Sequence, residues 1–447
     1  MTIVGSRLVA AAPATIGAFT EDKPMRALPL SKFLLLSLVI RCNGVLAQNA
    51  ITDWSAIAEK VVTANRPPAS AEVLLGIVHA AMYDAVVAIE PGYEPFTSVS
   101  AATPNASPSA AAATAAFVVL KARVPAQEPA LAAAYQAFLG TLQDDASKRG
   151  GISVGEQTAA TLLASRKDDG FDAAVAYVQR PAAPGMWEIT GQPAVAVDVK
   201  LAKVKPLVLV SASQFRPAGP LALGSAGYER DLVETKRIGG RSSAVRTAAQ
   251  TETALFWSEN TAVQWSRTLR NLAIERKLNL RESARLLAMA HVASADALIA
   301  CFDSKYYALS WRPVHAIQRS ELSGAAAADK DWQPLLNVNH PEYPSAHACW
   351  TSATVVALAT YFGTPKTGFT MESAVTKTAR HYDSAGDALA ECTEARILSG
   401  LHFRHSMTDG ATLGTEVARY VLARKFRAAQ PGGVDSVPLA GAPGVRP

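Results

Sequence analysis

Charge is scarce in this sequence. Asp, Glu, Lys and Arg make up 18% of the 447 residues, and 43 basic against 38 acidic residues leave a formal charge of +5. The basic residues are scattered and gather in no stripe with aromatics, which excludes the usual footprint of a nucleic-acid binder. Cysteine is scarcer still, with four in all. One of them, Cys42, falls in a segment expected to be removed, and Cys301, Cys349 and Cys392 are an odd set that excludes a disulfide framework. One bridge can form in an oxidising compartment; three buried thiols are the other reading. Beyond the N-terminal segment there is no apolar run of about twenty residues, the length a membrane helix needs. There is also no internal repeat, no strand-turn-strand series and no alternating βα pattern.

What is present is apolar, alanine-rich material. Hydrophobic residues reach 49% of the chain, enough for one large core or two fused ones. Alanine favours helix. Ala69–Glu90 reads as a helix with Leu74, Leu75, Val78, Met82, Ala85 and Val86 on one face. Helical patterns recur near 107–122, 127–143 and 154–169. Residues 181–224 break the pattern with Pro181, Pro184, Pro206, Pro217 and Pro220, as a long ordered connection does. Helical periodicity then runs from about Ala226 to about Arg427. The predicted class is all-α, a bundle or a pair of bundles.

The N-terminus reads as a targeting segment. Phe33–Ile40 is a short apolar run preceded by Arg26 and Lys32, and Val45-Leu46-Ala47 offers small residues for a signal peptidase before Gln48. Met25 is the more natural start. A buried or membrane-anchoring helix is the plainer alternative. The expected organisation is an extension and signal peptide over 1–47, a helical region with the Pro-rich connection over 48–224, a helical bundle over 225–429, and a disordered Gly/Pro-rich tail over 430–447. The expected destination is secretion or the periplasm.

Three segments carry chemistry. In Lys305-Tyr-Tyr-Ala-Leu-Ser-Trp-Arg312-Pro313 the two cations are seven apart, so two helical turns place them on nearly one face, and Pro313 ends the helix near Arg312. In His340-Pro-Glu-Tyr-Pro344-Ser345-Ala346-His347, Ser345 stands where an N-cap belongs before a small-residue helix whose first N–H groups can face an anion. In Arg396-Ile-Leu-Ser-Gly400-Leu-His402, arginine and histidine are six positions apart, and Gly400 offers the break that lets both converge. Alone, each has a bland explanation: a solvated face, an ordinary cap, a paired arginine beside a core histidine. Together they supply three cations, neutral donors and two histidines. That inventory suits a tetrahedral oxyanion, with guanidinium forks matching its oxygens and histidines able to bond its centre or move protons.

At these residues the sequence resembles the superfamily of vanadium-dependent haloperoxidases, bacterial acid phosphatases and type 2 phosphatidic acid phosphatases. Its signature is Lys, six residues, Arg-Pro; Pro-Ser-Gly-His; and Arg, five residues, His. All three stand in order here as Lys305 to Arg312-Pro313, Pro344 to His347, and Arg396 to His402. Val78-His79 to Ala85 and Ser213 to Pro217 resemble secreted bacterial haloperoxidase-like members. The resemblance implies an all-helical fold whose four-helix bundle holds vanadate, with phosphate able to occupy the same site. It implies that Lys305, Arg312, Ser345, the Ala346 N–H and Arg396 hold the oxygens, that His402 bonds vanadium or attacks phosphorus, and that His347 is the acid–base group with Lys305 assisting. His340 falls where bromoperoxidases of the family carry a histidine tied to halide choice, whereas Phe302 stands where haloperoxidases often have tryptophan.

The implied activity is oxidation of halide by hydrogen peroxide to a hypohalous-acid-type species; the alternative is a secreted acid phosphatase cleaving phosphomonoesters through a phosphohistidine. No membrane span is expected in the mature chain. Soluble relatives often assemble, so a homo-oligomer is one expectation. Two departures stand out. Ala346 replaces glycine, tolerable only if φ is negative there. Ser406 replaces the aspartate expected four residues after the last histidine, leaving Asp409 or His405 as candidate partners of His402 and Glu252 or Asp296 as candidate partners of Arg396.

Overall fold

The computed structural model describes residues 49–64, 66–98, 105–190, 194–320 and 328–429. The leader with its cleavage point after Ala47, Cys42, and the tail from 430 lie outside the described residues. Thirteen α-helices are present among the described residues. In the first half they are α1 (Ala50–Thr63), α2 (Pro68–Ile89), α3 (Pro108–Arg123), α4 (Glu128–Gly140) and α5 (Ala146–Ser165). No α-helix lies among the described residues between Ser165 and Ala226, where the prolines predicted a connection. There follow α6 (Ala226–Ile238), α7 (Ala248–Phe256), α8 (Thr261–Glu275), α9 (Leu280–Ala308), α10 (Pro313–Gln318), α11 (Ala346–Phe362), α12 (Ala385–Leu398) and α13 (Arg404–Leu422). The all-α reading holds.

Two departures from the sequence reading are real. A hairpin of β1 (Phe369–Ser373) and β2 (Thr378–Tyr382) interrupts the helices, with Phe369 opposite Tyr382. Its first strand buries Phe369, Met371 and Ser373 in alternation, a period-two signal only five residues long. The second concerns membrane spans, of which none was expected. By length and composition α2 and α9 are each apolar enough to cross a membrane, with mean hydropathies of 1.7 and 1.5. Such a helix is apolar all round because it is enclosed by lipid or by protein. Here protein encloses both, with 89% and 94% of their apolar windows buried.

The centre of the fold is α9. An Asn279–Glu282 capping box starts it, and Leu309, in a left-handed conformation at φ 47°, ends it. It packs on α2, α11 and α13, and α11 in turn packs on α12 and α13. Those four helices, α9 and α11–α13, form the bundle that carries the three segments. Buried carboxylates tie the loops to this frame. Asp296 of α9 accepts from the N–H groups of Leu207, Val208 and Leu209 at 2.6, 2.8 and 2.9 Å. Asp84 of α2 accepts from Phe96 and Thr97.

Helices α11 and α13 touch backbone to backbone at Gly414, where any Cβ would collide with the Cys349 carbonyl and the Ser352 hydroxyl. Gly414→Ala is therefore expected to destabilise the chain by about 1–3 kcal/mol through overpacking. Chemical denaturation checks this; a change within about 0.5 kcal/mol, the range of an ordinary surface substitution, would contradict the contact.

Candidate oxyanion site

The helix carrying Lys305 ends four residues before Arg312, not beside it. After the left-handed turn at Leu309 the chain reverses, and Arg312, extended at φ −75° and ψ 158°, precedes α10. The two cations meet by this reversal rather than by sharing a helical face. Pro313 sits at the first position of α10, where its missing N–H costs nothing. Ser345 caps α11 as predicted, its Oγ accepting from Ala348 N at 3.5 Å. Accepting there leaves its hydroxyl hydrogen free to donate. Ala346 is the first helical residue and is not among the positive-φ positions, so alanine brings no backbone strain.

Gly400 does what its position promised. With φ at +72° it follows the end of α12; its N–H bonds the Ile397 carbonyl at 2.9 Å, and Leu401 N–H bonds the Arg396 carbonyl at 3.2 Å. This left-handed termination turns the chain back so that Arg396 and His402 face one site. Gly239 passes so close to Gly400 that no side chain fits there.

The cations are held by neutral carbonyls. Lys305 Nζ donates to Pro341 O at 2.9 Å and Glu342 O at 3.0 Å. Arg312 donates to His340 O and Leu401 O, each at 2.8 Å, to His340 Nδ1 at 2.8 Å and to His402 Nε2 at 3.3 Å. Arg396 Nη1 donates to Trp257 O at 2.9 Å, while its buried Nε has no hydrogen-bond partner. All three are at most 3% exposed. Burial pushes them down, Lys305 to about 8, Arg312 to about 9 and Arg396 to about 10. Neither candidate partner of Arg396 reaches it: Glu252 pairs with Arg380, and Asp296 holds the Leu207–Leu209 backbone.

The residue that sequence reasoning missed is Glu342. Its Oε1 lies 2.8 Å from His402 Nδ1 and accepts from Phe403 N at 3.1 Å. It takes the place expected for Asp409, which instead bonds the Tyr343 hydroxyl and His405. Ser406 Oγ is a weaker neighbour of the same nitrogen at 3.4 Å. Burial raises the Glu342 carboxyl, and Arg312 and Lys305 oppose that rise. An apolar cavity of about 360 Å³ lined by Trp311, Tyr228 and Phe403 borders it on one side. Because Arg312 Nη1 faces Nε2 and has no acceptor to offer, Nε2 is the unprotonated nitrogen, so His402 Nδ1 carries the proton and donates to Glu342. Nε2 then keeps its lone pair and faces Arg312. Nothing local in His340-Pro-Glu-Tyr-Pro344 signals this contact, which joins residues 60 positions apart.

His347 lies in the first turn of α11 with Nε2 3.0 Å from Thr261 Oγ1. Burial, then Arg396, hold its pKa well below the usual histidine value. Burial, then nearby cations, do the same for His402 and for His340. His340 Nδ1 accepts from Arg312, which has no acceptor to offer, so that imidazole is neutral. His340, His347, Ala346 and Arg396 share the lining of a cavity of about 440 Å³ with Phe302 and Trp350. The structure therefore brings every predicted site residue into one cluster.

Comparison with known proteins agrees with that architecture. Residues 285–431 match the family model for the VCPO second helical-bundle domain. The structure is similar to a bacterial vanadium-dependent iodoperoxidase (TM-score 0.75, 20% identity, covering 86% of this chain and 98% of that one). It is also similar to a bacterial vanadium-dependent chloroperoxidase in its holo form (TM-score 0.63, 19% identity, 80% and 92% covered). The apo form gives a TM-score of 0.60 at 17% identity. No curated protein matches the sequence. The chain thus has the helical-bundle fold of the vanadium haloperoxidases, and the superfamily resemblance read from three short segments is borne out.

Glu342→Gln keeps the shape but weakens the acceptor behind His402, so affinity for inorganic phosphate is expected to fall about 10–100-fold, as for other supporting partners of a ligating histidine. Asp409→Asn should leave it near wild type. Calorimetric titration decides, and the reverse pattern would refute the assignment. Because His340, His347 and His402 are all held below the usual range, their imidazole NMR signals should keep neutral-form shifts as pH falls through 6.5. A titration of any of them near 6.5 would contradict the electrostatics.

Proposed function

We propose that this chain is a vanadate-dependent haloperoxidase, oxidising halide with hydrogen peroxide to a hypohalous-acid-type halogenating species. The observation that carries the reading is the charge imbalance of the site. Three buried cations and a histidine lone pair face together; among the described residues none of the three cations forms an ion pair with a carboxylate, and the carboxylate that bonds His402 is Glu342. The unpartnered Arg396 Nε is a donor waiting for an acceptor. A tetrahedral oxyanion answers both needs. Lys305, Arg312, Arg396, the Ser345 hydroxyl and the Ala346 N–H would hold the oxygens of vanadate, and His402 Nε2 would bond the metal. Vanadate bound there would supply the Lewis acidity that activates hydrogen peroxide toward halide.

The remaining roles fall to the chain's own groups. His347, whose pKa is held well below the usual histidine value and whose Nε2 lies beside Thr261 Oγ1, would accept a proton from hydrogen peroxide. Two carbonyls fix Lys305 Nζ and leave its remaining N–H for the reacting oxygens. His340, packed against Phe302 with ring centroids 5.3 Å apart, stands at the cavity wall as the halide-site candidate. The alternative, a phosphatase using the same ligands with His402 as nucleophile, needs room for an ester. His402 is 1% exposed, which favours reactants as small as peroxide and halide.

Vanadate added to the purified chain with peroxide and bromide or iodide should start halogenation of a phenol-red-type dye. His402→Ala and His347→Ala should each lower the rate by at least about 10²-fold, the scale of a lost acid–base or ligand group. Hydrolysis of an aryl phosphate without vanadate, with no dye halogenation after reconstitution, would establish the phosphatase reading instead. If His402→Ala left both activities intact, the site assignment itself would fall.

A further inference from the structure

The three cysteines of the described chain are not scattered. Cys301 lies one turn before Lys305 on α9, Cys349 one turn after Ser345 on α11, and Cys392 one turn before Arg396 on α12. All three are buried and unbridged here. Cys349 Sγ approaches Cys301 Sγ to 2.6 Å. That is nearer than two unbonded sulfurs rest, and a short movement from the bond of about 2.0 Å. Cys392 faces elsewhere, its sulfur accepting from Thr351 Oγ1 at 3.7 Å. Only one pairing is therefore open to the set.

We propose that Cys301 and Cys349 are joined by a disulfide that staples α9 to α11 one turn below the anion site. The bond forms by exchange with a disulfide-bearing oxidant, a small molecule or an oxidoreductase. One cysteine thiolate attacks the oxidant's disulfide and expels a thiol. The other cysteine thiolate then displaces the second half. One sulfur–sulfur bond is made and one broken, and both cysteine protons end on the two thiols released. The exchange occurs as the helices come together, because once packed both sulfurs are out of reach of solvent.

The consequence follows from what the two helices carry. α9 brings Lys305, and the first turn of α11 brings Ser345 and His347. Lys305, Arg312 and Arg396 repel one another until an anion arrives. A covalent tie one turn away holds Lys305 and the start of α11 in register against that repulsion. The bridge stands apart from the proposed reaction, whereas its effect on anion affinity rests on the reading of the site given above.

The test uses the full chain produced under oxidising conditions and purified without reductant. It is denatured, alkylated, digested and mapped by mass spectrometry. The expected product is a peptide pair linking Cys301 to Cys349 that separates on reduction, with Cys392 alkylated. Alkyl label on both Cys301 and Cys349 would overturn the bridge. Inorganic phosphate is then titrated into the oxidised chain, the reduced chain and Cys301→Ser. Several-fold weaker binding and a lower Tm are expected for the last two, with Cys392→Ser unchanged. Equal affinity and equal Tm in the oxidised and reduced chains would overturn the stapling role. A bridged chain that binds no phosphate would refute the reading of the anion site instead, with the staple then judged by Tm alone. Reduction of the wild-type chain keeps the test valid if Cys301→Ser does not fold.

Discussion

Three positive charges stand where water barely reaches, and the rest of the site answers to them. Removing a charge from water costs several kcal/mol even after relaxation. Lys305, Arg312 and Arg396 are buried together, and among the described residues none of them forms an ion pair with a carboxylate: Glu342 bonds His402, while Glu259 and Asp198, which line the same cavity as Arg396, are taken by Arg267 and Ser70. Their lowered pKa values are the local sign of that cost. The cluster is affordable because α9 and α11–α13 are already committed to a large apolar core around it. On the function proposed above, an oxyanion entering the cluster would offset the desolvation cost and the mutual repulsion at once.

How the cations are held matters as much as where. A carboxylate on each would stabilise the apo chain and cancel the charge an anion needs. Instead the anchors are carbonyls of Pro341, Glu342, His340, Leu401 and Trp257. A carbonyl orients a donor and stabilises it without neutralising it. These carbonyls come from irregular backbone: the proline-bounded segment before Ser345, the turn after Gly400 and the end of α7. Regular helix would have used them internally. The loops at the bundle end thus supply the acceptors, and the helices supply the rigid frame that aims the side chains.

This division explains what could be read in the sequence. Helix spans, the Pro-rich connection, the Ser345 cap and the Gly400 turn are local; each follows from propensity or from a φ that only glycine takes easily. The convergence of Lys305, Arg312, Ser345, His347, Arg396 and His402 was readable only because three spaced segments occur together. The hairpin at 369–382 was lost because five alternating residues are too short a signal among helices. Membrane-like apolarity in α2 and α9 was missed because polar residues such as Glu72, His79, His291 and Asp296 interrupt it. Two of those interruptions stack on each other, the His79 and His291 rings 4.3 Å apart. Side-chain partners across the fold left no local trace at all.

Glu342 shows why the last kind of information is hard to read yet chemically undemanding. His402 needs one acceptor at Nδ1 so that its proton stays there and Nε2 keeps a lone pair. An acid four residues on, along the helix, is one way to provide it. Here that helical position holds Ser406, whose carbonyl accepts from Ser345 N at 3.1 Å and so locks α13 to the start of α11. The carboxylate arrives instead from Glu342, whose own carbonyl holds Lys305 and whose Oε1 also fixes Phe403 N at the entry to α13. One residue therefore positions a cation through its backbone and a histidine through its side chain. Moving the acid from helix to loop costs nothing in tautomer control, and it couples the two ends of the site through a single residue.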